Sequence, residues 1–352
     1  MRVSLLNILV DPVSKSSLTL VDQKLDGAEV THGVLKNGDA HAYQITKGIP
    51  RFVRTEDAAQ KQTESSFGYK WQRQDAWYSP QSIAACQPWL VERYGFQNVP
   101  AMRQFFGAHR RVLDAGCGSG FGSSLWIDSS WQGDRESEWV GADISEAIDV
   151  ARERLAHIPG TNFIQADILQ LPFANQTFDA IFSDGVLHHT PSTERALKSL
   201  APLLIDGGEI LFYVYRVKSP LREFTDDYVR EAIAGMEPEA AWEALKPLTR
   251  LGQALAELKT EVEVPEDVPL LGIEKGRYDV QRLIYWHFAK LYWRDTFSFE
   301  ENNHVNFDWY HPRYSWRHTE DEIRRWCAEA GLKITRFDDS QESGFTVRAL
   351  RE

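Results

Sequence analysis

Arg111-Val112-Leu113-Asp114-Ala115-Gly116-Cys117-Gly118-Ser119-Gly120-Phe121-Gly122 is the stretch whose reading decides the fold. A short apolar strand ends in an acid, runs into spaced glycines, and is followed by a helical pattern from Ser123 to Trp131. Strand, glycine turn and helix together set bare backbone N–H groups against a ligand at a helix start. Several ligand classes use such a loop, and spacing separates them. A dinucleotide fingerprint places a third glycine three positions after its second. Counted from Gly116 that position is Phe121, and counted from Gly118 it is Ser123. What stands here is D-x-G-x-G-x-G. The pyrophosphate geometry is missing, and an acid at the strand end suits a cationic group better than a phosphate.

Outward from the loop, acids recur at strand ends. Glu138 to Asp143 reads as a second strand, its final acid followed by Ile144; Asn162 to Asp167 reads as a third, followed by Ile168. Phe178 to Asp184 is a fourth and leads into Gly185-Val186-Leu187-His188-His189-Thr190, and Gly208 to Tyr215 is a fifth. Strands alternating with helical segments predict an α/β architecture around a parallel sheet. Taken singly, each aspartate fits a helix N-cap equally well. The order and intervals of all of them resemble class I S-adenosylmethionine-dependent methyltransferases over residues 105–215. The likeness resumes over 317–352, where Thr319 to Glu322 reads as a capping box, Gly331 as a helix stop, and two strands follow.

The resemblance implies a Rossmann-like, seven-stranded methyltransferase sheet with S-adenosyl-L-methionine as cofactor. It further implies that Asp114, Gly116, Gly118 and Gly120 form the donor loop. Asp143 would accept from the ribose hydroxyls beside Ile144. Asp167 would accept from the adenine amino group with Ile168 packed on the ring, and Asp184 would complete the cofactor set.

The division expected is a β module at 1–55, a helical cap or linker at 56–108, the core at 109–215, an insertion and substrate lid at 216–316, and the closing helix and edge strands at 317–352. A hairpin signal, Asn37-Gly38-Asp39, lies in the first module. Leu5, Leu6, Ile8, Leu9, Pro12, Lys15, Leu18, Tyr43, Ile45 and Gly48 to Pro50 resemble a Trm112-like (YcaR-type) domain. The first two zinc-ligand positions of that pattern hold Asp11 and Ser14 here, and no cysteine precedes Cys86. Structural zinc sites of this kind use thiolates, so no metal is expected. The aromatic cluster Phe67, Tyr69, Trp71, Trp77 and Tyr78 is expected to fold over the cofactor.

Hydrophobic residues make up 43% of the 352 and charged residues 26%, as in ordinary globular proteins. Lys plus Arg number 39 against 51 Asp plus Glu, a net charge of −12. That balance disfavours polyanions, whose affinity comes largely from counterion release. Three scattered cysteines, no signal-peptide pattern and no membrane-length apolar run point to a cytoplasmic chain. The expectation is therefore an enzyme methylating a small-molecule acceptor on oxygen, nitrogen or carbon. The alternatives are an RNA or tRNA methyltransferase docking through the N-terminal module, or a non-catalytic partner protein. His188 and His189, past the fourth strand, are the catalytic candidates, with His304, Tyr310, Asp308 and His311 of the aromatic segment behind them. The acceptor and the oligomeric state stay open.

Overall fold

The chain opens with an antiparallel meander, β1 (Thr19–Asp26), β2 (Glu29–Asn37), β3 (His41–Thr46) and β4 (Ile49–Arg51). The computed structural model describes all residues except 39, 54–56, 73–79, 132–136 and 341–342. Trp77, Tyr78 and the last residue of the Asn37-Gly38-Asp39 turn therefore lie outside the described residues.

Helices α1 (Ala58–Gln72), α2 (Pro80–Tyr94) and α3 (Val99–Gly107) lead into the alternating part. This comprises β5 (Arg111–Ala115), α4 (Phe121–Ser124), β6 (Glu138–Asp143), α5 (Ala147–Leu155), β7 (Thr161–Gln165), β8 (Phe178–Asp184), α6 (Thr193–Leu200) and β9 (Leu204–Tyr215). An insertion follows, with α7 (Pro220–Ile233), α8 (Pro238–Glu257), the ribbon β10 (Glu261–Val264) and β11 (Gly276–Asp279), α9 (Val280–His287) and α10 (Phe299–Tyr310). The chain closes with α11 (Glu320–Glu329), β12 (Leu332–Asp338) and β13 (Gly344–Arg351).

One sheet orders its strands β1-β2-β3-β4-β7-β6-β5-β8-β9-β13-β12. It has eleven strands where the sequence reading expects seven and a separate β module. The reason is local. Arg51 of β4 pairs in parallel with Gln165 of β7, and the Phe52 N–H donates to Gln165 O at 2.8 Å. The Arg51 guanidinium then clamps both oxygens of Asp149 on α5 at 2.9 and 2.8 Å. Leu5, Leu9, Leu35 and Tyr43 share one continuous apolar core with Leu113, Ile164 and Phe212. Meander and core are thus a single hydrophobic unit.

Asp11, at a zinc-ligand position of the expected pattern, is fully buried and accepts from Ser14 N (2.7 Å), Val13 N (2.9 Å), Tyr43 Oη (3.0 Å) and His41 Nδ1 (2.7 Å). Burial opposes ionisation, but the bonds from Ser14, His41, Tyr43 and Val13 outweigh it and hold the carboxyl well below its usual range.

The helix expected over Ser123 to Trp131 is only the single turn of α4. Asp128 Oδ1 takes Ser130 N at 2.9 Å and Ser130 Oγ at 2.6 Å, an Asx-type turn that competes with helix propagation. Trp126 stacks on Phe106 with ring centroids 3.9 Å apart and anchors the loop without it.

Strands β5 to β9 run parallel, so their carboxyl ends share one edge. Ligands of open α/β sheets bind there. Every acid named from the sequence as a cofactor contact stands on or just beyond that edge.

Candidate active site

The donor side is built by backbone. Gly116, Gly118 and Gly120 have φ of 83°, 53° and 80°, the left-handed region where a side chain is strained. Gly116 N and Cys117 N donate to Ala142 O at 2.7 and 3.1 Å, pinning the loop to β6. Gly118 N donates to Asp143 Oδ2 at 2.8 Å. The other oxygen, Oδ1, accepts Ser145 N at 2.8 Å and Ser145 Oγ at 2.7 Å. Asp114 Oδ2 accepts from Ser123 Oγ at 2.6 Å, and that hydroxyl is itself held by Trp139 Nε1 at 2.9 Å. Ile144 is half-buried after Asp143, and Ile168 is buried after Asp167.

Helix α1 lies across this loop. A Cβ added at Gly118 would come within 2.9 Å of the Trp71 indole. Gln60 Nε2 donates to Asp167 Oδ2 at 3.0 Å, while Oδ1 caps Leu169 N at 2.9 Å. Glu64 of the same helix feels Asp143, Glu146 and Asp167.

The electrostatics of this side are unbalanced. Burial pushes the Asp114 carboxyl up to about 7, opposed by the Ser123 bond and reinforced by Asp143 and Asp184. Burial also raises Asp143, and burial with its acidic neighbours brings Glu64 to about 7. None of the three forms an ion pair among the described residues. Buried acid without a cation is costly, and a cationic ligand relieves it. S-adenosylmethionine carries a sulfonium and an ammonium, two ribose hydroxyls and an adenine amino group, and so fits this set.

Asp184 is placed differently. Its Oδ1 accepts Arg93 NH1 at 2.9 Å and Tyr94 Oη at 2.8 Å, tying α2 to β8. Arg93, sandwiched between the Trp89 and Tyr213 rings at 3.9 and 3.8 Å, was not singled out by the sequence reading.

Opposite the loop lies a second cluster. His188 is fully buried on the turn after β8, its ring 3.8 Å from Tyr215 and 4.2 Å from His189. Neither of its ring nitrogens has a hydrogen-bond partner among the described residues. Burial, helped by His189, His318, Arg93 and Arg230, keeps it neutral. His189 Nδ1 donates to Tyr314 O at 2.7 Å, and burial pushes its pKa down to about 4 despite Asp308. His304 lies edge-on to Trp71 and to Trp242, and burial with Lys70 nearby lowers it to about 3. Asp308 is the hub: Lys70 Nζ donates to Oδ1 at 2.5 Å and Tyr215 Oη to Oδ2 at 3.3 Å.

Tyr310 leaves the set of catalytic candidates. Its hydroxyl donates to Asp226 Oδ1 at 2.9 Å and accepts Lys290 N at 3.0 Å, so it is spent inside the insertion. His311 is likewise committed, to Ser66 Oγ at 2.8 Å and Met236 O at 3.1 Å.

Sequence reasoning missed Lys70 and Lys290. Lys290 is 6% exposed, its Nζ 4.4 Å over the Trp309 ring, which in turn packs on Tyr215 at 4.5 Å. Burial pushes its pKa down to about 7, against the pull of Asp308. The only signal in the sequence was a lysine inside an aromatic run, Tyr285 to Trp293.

A model described as a methyltransferase domain matches residues 113–212. "Probable tRNA methyltransferase 9B" of Bos taurus is 33% identical over 132 residues, 36% of this chain and 26% of that protein. "tRNA U34 carboxymethyltransferase" of Saccharophagus degradans is 34% identical over 120 residues, 33% of this chain and 35% of that protein. "Phthiotriol/phenolphthiotriol dimycocerosates methyltransferase 1" of Mycobacterium ulcerans is 26% identical over 175 residues, covering 50% and 54%. The match thus spans about a quarter to a third of the tRNA methyltransferases, and about half of the third relative.

These relatives overturn two expectations from the sequence, a small-molecule acceptor and nucleic acid as the disfavoured partner. Those at 33% and 34% identity are named as tRNA methyltransferases. A net charge of −12 is a global sum, whereas phosphate contacts are local. The matched methyltransferase domain, residues 113–212, thus contains the glycine loop and two of the buried acids around it, Asp114 and Asp143.

Proposed function

We propose that this methyltransferase acts on tRNA. The observation that carries the reading is the 132-residue stretch shared at 33% identity with a protein named as a tRNA methyltransferase. In this reading, Asp114 and the loop glycines hold the methionine end of the donor. Asp143 with Ile144 holds the ribose, and Asp167 with Ile168 the adenine. Asp184 acts one step away, by fixing α2.

The acceptor enters at the His188–His189 turn, across Tyr215 and Asp308. S-adenosylmethionine, when bound, would supply an electrophilic methyl group on its sulfonium, and the loop and the His188 turn would hold donor and acceptor in line. Orientation supplies most of the acceleration. Where the acceptor carries a proton, Lys290 is the base this reading assigns: its buried Nζ lies 4.4 Å over Trp309, which packs on Tyr215, and burial brings its pKa down to about 7 against the pull of Asp308. The ring nitrogens of buried His188, without a partner among the described residues, would bond the acceptor. Helix α1 links the two halves, with Trp71 on the donor loop and Lys70 on Asp308. Residues 1–55 read as a metal-free Trm112-like unit in which the Asp11 network takes the place of the zinc.

The test is transfer of a radiolabelled methyl group from S-adenosylmethionine by the full chain to unmodified bulk tRNA, with nuclease-digested tRNA as control. Label in intact tRNA is the expected outcome. Cofactor binding by calorimetry with no label in any tRNA fraction overturns the reading.

A further inference from the structure

Trp316 is 46% exposed, although both of its polar handles are already used. Its backbone N–H donates to His188 O at 2.9 Å, and its Nε1 donates to Thr190 O at 2.9 Å. Both acceptors belong to the turn that carries the two histidines. Tyr314 stands beside it, with ring centroids 6.0 Å apart and planes inclined by 27°. Tyr314 is fixed as firmly: its hydroxyl donates to Asp57 Oδ2 at 2.9 Å, its N–H to Thr63 Oγ1 at 3.2 Å, and its carbonyl accepts from His189 Nδ1. The indole is therefore held in one orientation at the rim of the acceptor site without being covered. It has no free donor to offer, only a π face.

We propose that Trp316, backed by Tyr314, is a stacking platform for a nucleobase next to the nucleotide being methylated. The inference rests on the tRNA reading and adds the surface that receives the RNA. A nucleotide delivered to a buried site must leave its stack, and its neighbour then loses a stacking partner. An aromatic face at the rim restores part of that loss for any base, since every base has a π face. One exposed cation adjoins the rings. Arg313, one residue before Tyr314, is exposed and forms no ion pair among the described residues, so a phosphate can take it. Further exposed rings stand on α7: Arg317 is held by Glu223 and Asp227, and the residues following those two acids, Phe224 and Tyr228, are 71% and 69% exposed one helical turn apart. Several exposed rings suit consecutive bases of a single strand better than one small ligand.

Two variants separate stacking from scaffolding. Trp316→Ala removes the ring and the Thr190 bond, whereas Trp316→Phe removes only the bond. Initial rates against tRNA concentration at saturating S-adenosylmethionine should show KM raised roughly 10-fold for Trp316→Ala, the scale of one base–aromatic stack. Trp316→Phe should restore KM to near the wild-type value. Cofactor affinity and thermal midpoint, measured alongside, should hold for both. A KM for Trp316→Ala within about twofold of wild type overturns the platform while leaving the tRNA reading standing. So does a Trp316→Phe variant as impaired as Trp316→Ala, which would make the Thr190 bond the active element. A wild-type chain that binds cofactor but transfers nothing to tRNA sinks the tRNA reading and the platform with it.

Discussion

The two halves of the active site are opposite electrostatic constructions. On the donor side Asp114, Asp143 and Glu64 are acids pushed upward by burial, Asp114 and Glu64 also by neighbouring acids, and none forms an ion pair among the described residues. On the acceptor side Asp308 is half-buried, and Lys70, His189 and Lys290 outweigh its burial and hold it well below the usual carboxylate range. The first half is incomplete until a cation arrives. The second is complete without a ligand, apart from the nitrogens of His188 and the amine of Lys290. On the proposed reading, a charged cofactor belongs to the unbalanced half, and proton handling to the balanced one.

The sharpest way to break this contrast is to remove the amine from the balanced half. Lys290→Met should lower kcat on tRNA by roughly 10²–10⁴-fold and erase the ionisation near pH 7 from the rate profile, with cofactor affinity kept. A pH–rate series on both proteins reads this directly, and an unchanged profile would move the proton elsewhere.

On the unbalanced half, Asp143→Ala should weaken S-adenosylmethionine about 100-fold, the worth of two hydrogen bonds to a charged acceptor. Isothermal calorimetry measures it. Asp143 also holds Gly118 N and Ser145, so a melting curve is needed to separate binding from loop disorder.

Lys70→Met leaves Asp308 without its cation and should cost about 2 kcal/mol of stability by denaturant titration. Adding Asp308→Asn should recover most of it, because the stranded charge is gone. Full additivity of the two losses would show that the pair is not coupled.

The smallest effect is a pH slope. Asp114 and Glu64 sit near 7 in the cofactor-free fold against 3.8 and 4.5 for ordinary carboxyls. Their stabilising contribution is fully present below those ordinary values and is lost as pH rises through about 7. A bound cation favours the ionised forms, so affinity should climb between pH 6 and 8, with protons released on binding. Asp114→Asn should flatten that climb and reduce the release, seen by calorimetry in buffers of different ionisation enthalpy.

The glycine loop was legible because backbone geometry leaves marks in a linear sequence. Left-handed turns call for glycine at 116, 118 and 120, and acids stand at or just past the ends of the strands around them, at 143 and 167. Asp184 bears the same mark and is used differently, since nothing local predicts that Arg93 and Tyr94 of α2 will reach it. Tyr310 misled for the same reason: an exposed-looking tyrosine in an aromatic segment becomes a buried link to Asp226. The overall charge misled about the partner because it averages over the whole surface.

By itself, then, the sequence determined the parallel α/β core and the glycine loop at its carboxyl edge, set by short-range periodicity and by φ angles that few residues adopt. Only the tertiary structure decided that the N-terminal meander joins the sheet through Arg51. It alone decided that Lys70 and Tyr215 meet at Asp308, whose charge Lys290 also feels, and that Trp316 stays uncovered against the turn of His188. Those residues come from separate elements up to 238 positions apart. Their meeting depends on which apolar faces pack together, which no local pattern encodes.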